Sequence, residues 1–80
     1  MPNYVKVTFK NSGTSQHVYT ITDNVIRNNI LDNQPLAPEE TFDATLTQGS
    51  DGHGHATYGY SGGVQITKDD LDDGESIDMS

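Results

Sequence analysis

Alternating apolar and polar residues mark several stretches of the chain as β-strands with one buried face. The clearest is residues 4–10, in which Val5, Val7 and Phe9 share one side and polar residues occupy the other. A period of two is the pattern of a strand that lies against a core. The same alternation predicts further strands at residues 16–23, 41–47, 55–60, 64–67 and 75–79.

The connections between these strands are short and rich in turn-forming residues. Residues 11–15 and 61–63 consist of Asn, Ser, Thr and Gly, which favour loops and turns. Residues 25–31 follow no clear period, and they predict a short strand or an irregular crossover. The run from Asp32 to Pro35 predicts a break in the chain. No stretch predicts a helix of more than a turn or two.

This arrangement of elements predicts the fold class. Six or seven short strands, with turn signals at roughly every 8–12 residues, are typical of a sandwich or a small barrel. Short connections favour antiparallel pairing of neighbouring strands. We therefore expect an all-β fold, a small antiparallel β-sandwich of the Ig-like or jelly-roll-like kind. Residues 1–80 are expected to form a single domain, because one core typically organises about 50–200 residues.

Two segments of the chain have similar sequences and are called the echoed segments below. Residues 36–44 and 71–79 share a leucine, a glutamate and an aspartate at equivalent positions, and similar residues at two more. A tandem duplication would produce this match. The favoured interpretation is a turn followed by a strand, used twice at the same end of a sandwich with the same turn chemistry.

The composition predicts a thin core. Apolar residues other than glycine make up 31% of the chain, and there is no cysteine to form a disulfide or a thiolate metal site. A net charge of −8 on a polar chain also fits disorder, but the apolar residues here are β-branched or aromatic and alternate. We expect a folded chain that gains stability by forming a homo-oligomer.

The charge balance excludes some classes of partner. Four Lys and Arg stand against twelve Asp and Glu, whereas nucleic acid and anionic membranes attract basic surfaces. We expect no nucleic-acid and no membrane partner. Residues 1–10 show no basic and apolar secretory signal. The compartment stays open between the cytoplasm, leaderless export and a mature chain whose signal has been removed.

Histidines close together in the sequence suggest a metal site. If the chain is extended at His53 and His55, their imidazoles share a face, and Asp51 adds a carboxylate on that face. His17, on another strand, would complete a three-histidine set. Imidazole with carboxylate suits zinc, copper, nickel or iron. The alternative is a solvated, mobile, glycine-rich loop that carries histidine without binding a metal.

Two further motifs resemble functional sites without meeting their requirements. The acidic run at residues 69–75 fails as an EF-hand, because leucine falls at the third ligand position; a calcium site of another kind or a solvated turn remains. Residues 59–63 match Gly-x-Ser-x-Gly, but no histidine follows Ser61 to complete a triad. A thin core also leaves little room for a water-excluding pocket. We therefore expect that the chain is not an enzyme.

The remaining candidate is a pair of tyrosines on one predicted strand. Tyr58 and Tyr60 share a face and would belong to the core if that face points inward. If it points outward, they form a stacking platform, with Asp51, His55 and Ser61 nearby, that suits a carbohydrate or a protein ligand. The sequence thus leaves three hypotheses: a non-enzymatic binding module that acts as a homo-oligomer, a metal-binding protein, and a structural subunit that assembles through exposed strands.

Overall fold

The computed structural model describes residues 3–79, which form seven β-strands and no helix, and so no helix that could cross a membrane. The all-β class predicted from the sequence is confirmed. The strands are β1 (Tyr4–Lys10), β2 (His17–Asp23), β3 (Asn28–Leu36), β4 (Thr41–Thr47), β5 (Gly54–Tyr60), β6 (Ile66–Leu71) and β7 (Glu75–Asp78).

The strands form two sheets that enclose the core between them. One sheet has the order β4-β1-β7 and the other the order β3-β2-β5-β6. The alternation of the sequence decides which side chains point inward, since odd positions of β1 and even positions of β4 are buried. The buried apolar residues are Val5, Val7, Phe9, Tyr19, Ile21, Leu31, Leu36, Ala44, Leu46, Ala56, Tyr58, Leu71, Ile77 and Met79.

One strand pair departs from the antiparallel pairing predicted for the sandwich. β7 runs parallel to β1, from Glu75 opposite Val7 to Asp78 opposite Lys10, whereas the other ladders are antiparallel. Short hairpin loops impose antiparallel pairing only on strands that follow each other in the chain. Five strands lie between β1 and β7 in the chain, so the direction of β7 is set by where β6 ends.

The break predicted at Asp32–Pro35 is wrong, because β3 continues through these residues to Leu36. Two features make this possible. β3 lies at the edge of its sheet, where the missing N–H of Pro35 is tolerated. A register shift against β2 absorbs an extra residue, with Asn33 at a φ of 49°. β6 also differs from its prediction, since it starts at Ile66 rather than at residue 64 and extends to Leu71.

The two echoed segments do share one turn chemistry. The glutamate that ends each turn accepts a hydrogen bond from the backbone N–H three residues earlier, from Ala37 to Glu40 at 2.8 Å and from Asp72 to Glu75 at 3.3 Å. The residue before each glutamate has a positive φ, 71° and 89°. The strands that follow, β4 and β7, flank β1 on opposite sides and run in opposite directions. The two turns therefore lie at opposite ends of β1, not at the same end.

A buried carboxylate ties the two sheets together at one end. Asp23, the last residue of β2, is 1% exposed. Its carboxylate accepts hydrogen bonds from the backbone N–H of Val25 at 3.1 Å and from that of Thr47 at 2.9 Å. Because Thr47 ends β4 in the opposite sheet, this one side chain fixes the end of β4 relative to β2.

Replacing this carboxylate is expected to destabilise the fold. Asp23→Ala leaves two backbone N–H groups without their acceptor, and an unsatisfied buried donor costs about 1–3 kcal/mol. Asp23→Asn keeps one acceptor oxygen and should lose less. Urea unfolding monitored by circular dichroism measures the free energy of unfolding. The exposed-residue control Asp70→Ala should change it little, and an Asp23→Ala chain as stable as this control contradicts the role of Asp23.

Candidate functional site

The segment that the sequence singled out is organised around His55 on β5. Its Nε2 lies 3.0 Å from the Asp51 carboxylate, and its Nδ1 lies 3.1 Å from Asp69 on β6. Both ring nitrogens can donate together only when the imidazole is protonated. Hydrogen bonds to Asp51 and then to Asp69 accordingly raise the pKa of His55 above its ordinary value of 6.5. The same bond, with one from the backbone N–H of His53, lowers the pKa of Asp51.

This arrangement acts as a clamp that holds the imidazole between two carboxylates. The two carboxylates come from the loop before β5 and from β6, so a protonated His55 joins three parts of the chain. With both nitrogens occupied by carboxylates, the ring has no free nitrogen for a metal ion or for a substrate proton. Gly49 makes room for the ring, since a Cβ at this position would lie 3.1 Å from it.

The three histidines do not converge. His53 lies in the bend before β5, and its Nδ1 is 2.8 Å from Asp72. His17 stacks on Tyr60 with ring centroids 4.1 Å apart. The β2–β5 register places His17 seven positions along the sheet from His55, a separation of about 23 Å. Within residues 3–79, no group of three or more His, Asp or Glu is placed to hold a metal ion.

The tyrosine pair faces inward. Tyr58 is 4% exposed and packs edge-on against Phe9 with centroids 5.8 Å apart, and burial raises its pKa. Tyr60 is half-buried and lies against His17. Ser61 is exposed, and its backbone N–H donates to the carbonyl of Val18. The two tyrosines therefore form part of the core and its margin, and they do not form an outward stacking platform.

A different feature stands out at the edge of the three-stranded sheet. The N–H of Gln48 bonds the carbonyl of Asn3 across the β1–β4 register, so alternate residues of β4 point their backbone groups away from β1. Of these residues, Thr47 donates its N–H to Asp23, and the other three, Thr41, Asp43 and Thr45, are exposed. Among the described residues, no group on the side of β4 away from β1 forms a hydrogen bond to the backbone of these three residues. We refer to the backbone N–H and C=O groups of these three residues as the β4 edge.

The other three edges carry features that discourage strand pairing. β3 contains Pro35 and a bulge. β6 has a register shift, and Lys68, opposite the buried Ala56, sets a charge on the core-facing side. β7 has four residues, of which two are acidic. β4 has seven residues in unbroken register, with one charge and no proline, so it alone among the described strands lacks such protection.

A groove lies beside the β4 edge on the outer face of the same sheet. It has a volume of about 430 Å³, and its lining includes Lys6, Thr8, Asp43 and Thr45. The Thr8 hydroxyl donates to the Asp43 carboxylate at 3.1 Å. The Lys6 ammonium makes no ion pair with the part of the chain that the structure describes. The groove thus places one unpaired positive charge next to an edge that can accept a strand.

Comparison of the chain with models of protein families, with curated proteins and with solved structures gives no match. Function is therefore inferred from the geometry of the chain itself. The alternation at residues 41–47 predicted the strand that carries the site. Whether that strand lies at an edge depends on the sheet order, for which the sequence contains no direct signal.

We expect the clamp to be visible in the titration of His55. Its midpoint, followed by NMR on the imidazole Cε1–H, should lie above 6.5. Asp51→Asn and Asp69→Asn should both lower it, the former by more, because Asp51 contributes most. Asp70→Asn, a neighbouring exposed carboxylate, is the matched control. Equal midpoints in all four proteins would show that no clamp forms.

The clamp also predicts how stability depends on pH. A raised pKa means that the contribution of His55 is complete below about 6.5 and is lost as the pH rises through its folded value. The lowered pKa of Asp51 means that its contribution is complete above about 3.8 and is lost on acidification. Urea unfolding should therefore show the largest difference between the native chain and His55→Gln at about pH 5–6.

Proposed function

We propose that this chain is a non-enzymatic binding module that recognises a protein ligand by strand addition at the β4 edge and acts as a homo-oligomer. The observation that carries the proposal is the row of unpaired backbone groups on an edge without protection. An extended partner strand supplies the complementary donors and acceptors. Main-chain hydrogen bonds then give affinity, and side-chain pockets give specificity.

The surroundings of the β4 edge support this mode of binding on both faces of the sheet. On the outer face, alternate side chains of an added strand lie beside the groove with Lys6 and Thr8. On the inner face, the added strand covers Phe42, which is only partly buried at the margin of the core. An added strand therefore gains apolar contact as well as hydrogen bonds.

The competing hypotheses have less support in the geometry. The hypothesis of a sugar ligand depended on stacking against exposed rings of Tyr58 and Tyr60. These rings instead pack against Phe9 and His17. The hypothesis of a metal site depended on three histidines, and each of them contacts another side chain. Catalysis by His55 would require a free ring nitrogen. A structural subunit that assembles through exposed strands would use the same β4 edge.

Strand addition predicts a specific NMR result. The probe is a synthetic seven-residue peptide that alternates Thr and Val around a central Lys, added to the isotopically labelled protein. Amide resonances of Thr41, Asp43 and Thr45 should shift. Thr45→Pro should abolish these shifts, because it removes an outward N–H without touching the ladder to β1.

The matched control is Thr45→Val, which removes the hydroxyl and keeps the N–H. It should bind the peptide as the native chain does. Peptide-induced shifts that survive Thr45→Pro, or that appear on β3 or β6 instead, would contradict binding at the β4 edge.

A further inference from the structure

We infer that the strand received by the β4 edge is β4 of a second copy of this chain, placed antiparallel with Ala44 on the twofold axis. This inference rests on the proposed function and names its partner. The two three-stranded sheets would then join into one sheet with the order β7-β1-β4-β4-β1-β7. Association commonly stabilises small cores without disulfides, and this chain has a thin core and no cysteine.

The backbone geometry limits the register. Only alternate residues of β4 point outward, so these residues must face one another across the axis. A twofold axis at Asp43 would set two like charges directly opposite each other, which is destabilising. An axis at Thr45 would leave only the central Thr45 pair free to bond, because Asp43 would then face Thr47, whose N–H Asp23 already binds.

An axis at Ala44 avoids the like-charge pair and needs the N–H of Thr47 only in the outermost pair, with Thr41. Asp43 of each copy then faces Thr45 of the other, and the two pairs exchange four backbone hydrogen bonds. On the inner face, Phe42 would lie opposite the partner's Leu46, and the added strand would cover the exposed part of the Phe42 ring. β4 is thus complementary to itself in this register on both faces.

Charge complementarity also favours a second copy. Lys6 on β1 is opposite Thr45 on β4, and Thr45 would be opposite the partner's Asp43. The Cα atoms of Lys6 and of the partner's Asp43 are two strand spacings apart, about 10 Å. Only the short side chain of Thr45 lies between the two charged side chains. The symmetry produces this pair twice. Within one copy, the Asp43 carboxylate accepts the Thr8 hydroxyl and makes no ion pair with Lys6.

Charge reversal tests this arrangement by sedimentation equilibrium of the full chain. Lys6→Glu makes the chain more negative, and Asp43→Lys makes it less negative. We expect each single change to raise the dimer Kd by about three- to tenfold, because the symmetry makes it remove two exposed ion pairs at once. The double variant has the native net charge and a restored pair, so its Kd should return to near the native value.

Overall charge gives a different pattern from a specific pair. If only net charge mattered, Asp43→Lys would tighten the dimer, and that result would overturn the inference. Lys68→Glu on β6 is the matched control, with the same charge change as Lys6→Glu, and it should affect the dimer much less. A chain that is monomeric at about millimolar concentration would also overturn the inference, while the peptide titration would still decide whether the β4 edge binds a strand.

The register itself can be tested by cross-linking, because the native chain has no cysteine. In the proposed dimer the two Ala44 residues form a non-hydrogen-bonded pair with Cα atoms about 4.5 Å apart, within disulfide range. Ala44→Cys should therefore give a covalent dimer under mild oxidation. Thr41→Cys should not form this disulfide, because the two copies of residue 41 would lie about 20 Å apart across the axis, although the position is exposed. Equal cross-linking of the two variants, or preferential cross-linking of Thr41→Cys, would overturn the register.

Discussion

A sandwich of two open sheets has four edge strands, and each edge exposes backbone groups that can pair with another chain. This constraint governs how the sequence of the molecule is distributed. β3 has a proline and a bulge, β6 has a register shift and a core-side lysine, and β7 is short and acidic. β4 has none of these features, and its backbone register against β1 is unbroken. The proposed function follows from that difference between edges.

The charged side chains near β5 serve a different purpose. His55 is held between Asp51 and Asp69, and His53 contacts Asp72, so the acidic loops are joined to the histidine-bearing segment. In a chain with a net charge of −8, a protonated His55 reduces repulsion among neighbouring carboxylates. His53 and His55, which the sequence grouped as metal ligands, thus each contact a carboxylate in this structure.

Much of the fold could be predicted from local pattern. Periodicity located β1 and β4 to the residue, because one buried face imposes a strict alternation on each. It failed at Pro35, since an edge strand tolerates a proline that a central strand does not, and position in the sheet is not a local property. The parallel direction of β7 was missed for the same reason. The echoed turns were interpreted correctly in their chemistry, whereas their placement at opposite ends of β1 depends on the sheet order.

The candidate site was less accessible to sequence reasoning. Spacing alone grouped His53, His55 and His17, but the register separates His17 from His55 along the sheet. The β4 edge is a backbone feature, and it becomes visible only when the neighbours of β4 are known. Hydrogen–deuterium exchange at increasing protein concentration tests it most directly. We predict that the amides of Asp43 and Thr45 become protected as the chain associates, while those of β3 and β6 do not change. Association without added protection on β4 would contradict the account.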